Sequence, residues 1–334
     1  MPPRFAPLRT LTLALLCALP MLPATAQSLR DPAWEALLEN DRHAELEAQA
    51  RQRLKAEPGD PQATLALGFA LLADAQPAQV DAAVPVAEAC IARHPDAGEC
   101  HYVLGTLLGA QALRAGMFKA MSLAGRIRES FEKAVALQPD AFNHRVGLMQ
   151  FYMAAPGIAG GGMDKARELA RSTEARQPEQ ARCLRAMVAI SEDKFDEAEK
   201  LLWAVQPGND NALRSAVYAN LGQIAVQRLS NKQPTQAQSL FERLAQADPT
   251  RAFAVYGLGR VKTESGAPQE ALRLFAQART LRGQLSLPID YREALAWLQL
   301  GDLAKAKALL QKFVSAGRGH PKNLEDAKAR LEKL

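Results

Sequence analysis

Aromatic residues are scarce in this 334-residue chain: Phe, Trp and Tyr together make up 6%, although 48% of the residues are hydrophobic. The apolar mass is carried largely by aliphatic side chains with abundant Ala, which suits helices packed closely on small residues. No Val/Ile-rich segment alternates with polar residues, so nothing reads as a half-buried strand, and the expected fold class is all-α. A tract of one charge sign is also missing. The formal charge of +5 comes from acids and bases interspersed along the chain, as on solvated helix faces. No basic run with interleaved aromatics is present to follow a phosphate backbone, so nucleic acid is not an expected partner.

Catalytic signatures are lacking too. Neither Gly-x-Ser-x-Gly nor His-Glu-x-x-His occurs. His43, His144 and His320 stand apart from any nucleophile pattern. The carboxylate pairs Glu132 with Asp140 and Asp196 with Glu199 fall on helix surfaces or ends, where solvated charge is the ordinary reading. No enzymatic activity, cofactor or metal is expected. Beyond the first residues no apolar run is long enough to cross a bilayer, so no membrane insertion is expected either.

Residues 1–26 have the form of a secretory signal peptide. Arg4 and Arg9 start it, Leu11 to Leu22 is its apolar core, and Ala24-Thr25-Ala26 is a small-x-small cleavage site before Gln27. Cys17 does not fit a lipid-attachment site, because Leu16 precedes it and apolar sequence follows. Without Arg4 and Arg9 the charge falls from +5 to +3. The expected destination is a bacterial periplasm.

What the remainder has in quantity is a recurring pair of short amphipathic helices. Between Arg251 and Gly283, Leu258-Gly259 is followed by Ala271, Phe275 and Ala278, with the turn Ser265-Gly266-Ala267-Pro268 between. The pattern returns in Leu67-Gly68 with Ala83, Ala87 and Cys90, in Leu104-Gly105 with Phe131 and Ala134, and in Leu221-Gly222 with Ala237, Phe241 and Leu244. Leu148-Met149 and Tyr152 lead to Ala166 and Ala170. Ala198 and Leu202, then Ala306, Leu310 and Phe313, mark two more second helices, and Trp34 with Leu37 opens a degenerate first unit. Closing prolines fall unevenly at 58, 95, 139, 178, 207 and 249, so turn and helix lengths vary. Leu-Gly on a first helix and Ala-x3-Phe-x2-Ala on a second resemble the tetratricopeptide repeat (TPR).

That resemblance covers nearly the whole chain after the leader. It implies an α-α superhelix of seven or eight units over residues 27–320 and a capping helix over 321–334. It also implies a protein or peptide partner held on the concave face. In TPR proteins that face is lined by first-helix positions flanking the Leu-Gly pair. Carried over, these are Phe69; Tyr102 and Thr106; Asn143, Val146 and Gln150; Gln223 and Gln227; and Tyr256, Arg260 and Glu264. The family's clamp for a C-terminal carboxylate uses Lys and Asn at such places. Val146/Gln150, Ala219/Gln223 and Tyr256/Arg260 depart from it, and Tyr102 and Tyr256 are the expected anchors. Self-association into a homo-oligomer is the alternative use of the same faces.

Three segments depart from the plain repeat. Residues 105–128 lengthen the third unit around Gly116, and the plainer reading is extra hairpin packed on its neighbours, the other a ridge for a partner. The second, within 153–163, is Pro156 to Gly162, a glycine-rich connector. It lacks the Lys-Ser/Thr of a phosphate loop and has Asp164 as the expected N-cap, although a small-ligand or phosphate site is its other reading. The third is the break at 317–321 before the capping helix. Cys90 and Cys100 would sit on adjoining helices of stacked units, where a disulfide, free buried thiols or a metal set with His94 and His101 are the alternatives. Cys183 is left over as a buried small residue.

Overall fold

The computed structural model describes residues 29–74, 77–317 and 319–334; the expected signal peptide at residues 1–26, with Cys17, lies outside them. Sixteen helices form eight antiparallel pairs. The first four pairs are α1 (Pro32–Glu39) with α2 (His43–Ala56), α3 (Pro61–Asp74) with α4 (Pro77–Arg93), α5 (Gly98–Arg114) with α6 (Met117–Leu137), and α7 (Phe142–Ala154) with α8 (Met163–Glu174). The next four are α9 (Pro178–Ser191) with α10 (Phe195–Trp203), α11 (Asn211–Ser230) with α12 (Pro234–Ala247), α13 (Ala252–Glu264) with α14 (Pro268–Ala278), and α15 (Ile289–Gln299) with α16 (Leu303–Ala316). A last helix, α17 (Pro321–Leu331), closes the array. No strand occurs among the described residues.

The turns follow from local chemistry. Proline opens α9, α12, α14 and α17, where its missing N–H costs nothing. Asp210 and Asp302 cap α11 and α16 by accepting from the N–H groups of Leu213 and Lys305. Gly266 supplies the left-handed conformation, φ +77°, that the turn into α14 requires.

Pairs interlock through phenylalanine and glycine. Phe131 of α6 lies between Gly105 of α5 and Gly147 of α7, where an added Cβ would come within 3.0 and 2.6 Å of the ring. Phe275 meets Gly259 in the same way, and Phe241 meets Gly257. Each ring thus fills the space that a missing side chain leaves, and Phe241 and Phe275 are wholly buried. Burial of such a ring contributes about 1.5–3 kcal/mol.

The stacking has an inside and an outside. First helices pack on the next first helix from α3 through α15, whereas successive second helices show no comparable packing among the described residues. The first helices therefore line the concave side of the coil. The curvature brings the two ends of the array together. Asp41, between α1 and α2, accepts from the backbone N–H of Leu285 at 3.0 Å and of Ser286 at 3.3 Å, and Glu39 pairs with Arg282 at 3.1 Å.

The departures have definite shapes. Residues 115–116 break the long hairpin of α5 and α6, and its tip carries Leu113, Met117 and a 93% exposed Phe118. The expectation of a hairpin covered by its neighbours is corrected there, because helices longer than those beside them have nothing to pack against at the end. In the glycine-rich connector, the N–H groups of Gly160, Gly161 and Gly162 donate to Gly157, Pro156 and Tyr152. They are turned into the loop and not toward an anion. Asp164 is not the N-cap: Gly162 holds that place, and Asp164 sits exposed in the first turn of α8, bonded to Arg167. At the end, Ala327 of α17 joins Tyr291, Leu310 and Phe313 in a small core, covering the face of the last pair.

Cys90 of α4 and Cys100 of α5 are joined by a disulfide across a Cα separation of 5.6 Å. His101 contacts the Pro95 carbonyl through Nε2. Cys183 is free and buried, and burial pushes its thiol up to about 12.

Candidate partner-binding face

Of the residues placed by sequence on the inner face, the structure divides hydrophobic from polar. Phe69, Tyr102, Val146 and Tyr256 are buried, as is Asn143. Thr106, Gln223, Gln227 and Arg260 are half-buried, and Gln150 and Glu264 are exposed. The two tyrosines expected as anchors are corrected: Tyr102 is 7% exposed and Tyr256 4%. Two residues before the Leu-Gly position, the ring slots between successive first helices instead of projecting into the groove.

Tyr102 shows what fills that slot. Its ring stands against Phe69 and Phe131 and stacks on the His144 imidazole, with centroids 5.0 Å apart. Burial raises the Tyr102 hydroxyl to about 12. His144 is sealed as well. Its Nδ1 lies 3.1 Å from the Ala134 carbonyl, which fixes the proton on that nitrogen, while Nε2 has no partner. Burial pulls the His144 pKa down to about 4, against a smaller opposing effect of the Ala134 hydrogen bond.

Buried polar clusters join neighbouring units along this core. Glu99 of α5 accepts from Arg30 at 3.0 Å, Gln62 at 3.3 Å and Gln138 at 2.6 Å. Arg145 of α7 reaches Gln180 of α9, which reaches Asp210. Arg228 of α11 is held by Asp196 at 2.7 Å and by Glu199 of α10, and Glu199 also binds Arg243. Asp196 is solvated as expected, its side chain 95% exposed, whereas Glu199 is largely enclosed and joins the units by binding both Arg228 and Arg243. Glu132 likewise accepts from the Tyr152 hydroxyl, and Asp140 from Gln177.

The polar surface left open on the first helices runs from Thr106 through Gln150, Gln223 and Gln227 to Arg260 and Glu264. It ends in a cavity of about 350 Å³ lined by Arg260, Thr263, Glu264, Arg292, Leu295 and Arg330 among others. Arg292 was not foreseen, because it lies outside the Leu-Gly pattern on α15. No grouping of His, Cys, Asp and Glu among the described residues is arranged to hold a metal ion, and none of the described helices is long and apolar enough to cross a membrane.

Paired antiparallel helices, stacked with their first members inward, define an α-solenoid repeat protein. Residues 228–281 match the family model for the tetratricopeptide repeat. The fold is similar to that of the human IFIT1 dimer solved with PPP-AAAA, at TM-score 0.50 and 17% identity over 82% of this chain and 63% of that one. The human IFIT1 dimer with m7Gppp-AAAA gives TM-score 0.51 at 16% identity, over 82% and 62%. The chain thus spans less than two thirds of the length of these structures, and at such identity the likeness is one of fold. A tetratricopeptide repeat protein from Parabacteroides merdae aligns at TM-score 0.45 and 12% identity, covering 79% of this chain and 96% of that one. No curated protein matches the chain in sequence.

Proposed function

We propose that this protein is a periplasmic, non-enzymatic interaction module that holds a polypeptide along the concave face of its solenoid. The observation that carries the reading is the continuous inner row of first helices, whose open positions are amides and charges: Gln150, Gln223, Gln227, Arg260 and Glu264. Amide side chains both donate and accept, which suits an extended backbone. The aromatic rings stiffen the wall behind that row. Export rests on the leader at residues 1–26 and agrees with the Cys90–Cys100 disulfide, a bond favoured in an oxidising compartment.

Photocrosslinking groups placed at Gln150 and Gln227, and for comparison at the exposed second-helix residues Lys133 and Glu242, test the reading in cells. The inner positions should capture a polypeptide distinct from the protein itself, and the outer ones should not. Capture only from outer positions, or only of a second copy of this chain, would overturn it. Intact-mass measurement should find the exported chain beginning at Gln27.

A further inference from the structure

Apolar side chains that face water are ordinary when scattered and informative when they gather. Seven large ones are exposed among the described residues, and five of these stand in two neighbouring turns. Leu113, Met117, Phe118 and Met121 lie at the end of the α5–α6 hairpin. Ile158, 89% exposed, lies in the glycine-rich connector of the next unit. That connector's single helical turn, Gly157–Ala159, packs against α6, so the two turns adjoin.

Helix α6 begins with apolar residues on two faces. Leu123, Ala124 and Ile127 turn into the core, whereas Met117, Phe118 and Met121 turn outward within one helical turn of each other. The inner set is enough to hold the helix in place. The outer set stabilises nothing in the fold.

The charges of the hairpin are one-sided. From Cys100 through Arg128 it carries Arg114, Lys119, Arg126 and Arg128, and no Asp or Glu. Asp81 and Glu88 of α4 pair with Arg114 and Arg126, and Arg128 lies near Glu129 and Glu132. Lys119, beside Phe118, is exposed and forms no ion pair among the described residues, and the first turn of α6 has no acid. The tip is therefore apolar with a free cation at its base.

We propose that this tip is a membrane-contact site: Met117 and Phe118 enter the headgroup region of an anionic phospholipid bilayer, and Lys119 meets its phosphates. A bilayer accepts a convex apolar tip without supplying a matching hollow, and its negative surface complements the unpaired cation. The lysine stem stays among apolar side chains while its ammonium reaches the headgroups. So small an apolar tip binds a neutral bilayer only marginally, and the charge must add to it. The chain lies on the surface without crossing it, since none of the described helices is long and apolar enough to span. None of these residues belongs to the inner row of first helices, so the site stands or falls apart from the groove.

The test uses the chain from Gln27 onward with unilamellar vesicles of phosphatidylcholine, with or without phosphatidylglycerol. Cosedimentation should find strong binding only where phosphatidylglycerol is present, weakening as salt rises. Phe118→Ser should lower that affinity about tenfold or more, the effect of withdrawing a phenylalanine from apolar surroundings. Lys119→Ser should lower it about fivefold. Both side chains are exposed, so the melting temperature should stay close to the parent's. Phe118→Trp should keep the binding, and its added fluorescence should move to the blue and be quenched by brominated lipid. Absent binding, equal binding to neutral vesicles, an unaffected Phe118→Ser, or unquenched fluorescence would each overturn the site.

Other occupants have their own readouts. The parent should sediment as a monomer without vesicles. A dimer that Phe118→Ser dissolves would make the tip a self-association surface and remove the bilayer. A photocrosslinking group placed at Phe118 in cells should label phospholipid. Adducts with protein alone would assign the tip to a protein partner instead.

Discussion

Tyr102 and Tyr256 occupy the same position in two repeats of one chain, two residues before a Leu-Gly pair, and both are buried. Their surroundings differ. Tyr102 lies in an aromatic stack closed by a neutral His144 from the next unit. Tyr256 backs onto Phe275 but turns its hydroxyl to Arg292 of the next unit, at the edge of an open cavity. The repeat position decides where the ring goes. The neighbouring unit decides whether the place is sealed core or a boundary with the groove. A solenoid can therefore keep one packing rule throughout and still vary its inner surface through the residues that each unit offers to the one before it.

The comparison can be broken most directly at the ring. Tyr102→Ala should cost about 3–5 kcal/mol in urea unfolding, because it empties a space between four elements that have no side chain free to refill it. A loss below about 1 kcal/mol would mean that the stack adds little beyond shape.

The next effect is in pH. His144 in the folded protein titrates near 4, against an ordinary value of 6.5. The unfolded chain therefore takes up a proton that the folded one refuses. Its stabilising effect is complete above pH 6.5 and is lost as pH falls toward 4, by about 3 kcal/mol at the bottom. Denaturant midpoints of the parent and of His144→Gln, followed from pH 7 to 5, should diverge in slope. Parallel curves would place His144 in water and remove the contrast with the Arg292 side.

The smallest effect is expected at the other tyrosine. Tyr256→Phe keeps the ring and removes only a hydroxyl at 3.4 Å from the Arg292 Nε, so stability should change by less than about 1 kcal/mol. A loss above about 2 kcal/mol would make that hydroxyl part of the core, as the Tyr102 ring is.

Most of the architecture was readable because it is local. Leu258-Gly259, Ala271 and Phe275 announce one helix pair, and the small residue and the ring that meet are both within that unit. The glycine-rich connector was readable for a similar reason: φ of +87° at Gly160 and +122° at Gly162 are backbone needs that other residues meet poorly. Side-chain placement between units was not legible. Arg228 meets carboxylates 29 and 32 residues earlier, and Arg292 meets Tyr256 across 36. Those meetings depend on the angle at which pairs stack, which no spacing in the chain records. The same angle turned Tyr102 and Tyr256 into the wall. It also left Phe118 uncovered, because the length of a hairpin can be read from sequence but the reach of its neighbours cannot.

The hydrogen bonds from Leu285 and Ser286 to Asp41 join residues 244 and 245 positions apart. In an open array of repeats, stability is nearly a sum over adjacent units, and either end can fray without the other responding. This contact belongs to no adjacent pair. It makes the coil behave less like a spring and more like a clasped bracelet: lengthening the superhelix must first release the clasp, and loss of the first unit is felt at the loop before the eighth. The inner channel is held to one curvature as a consequence.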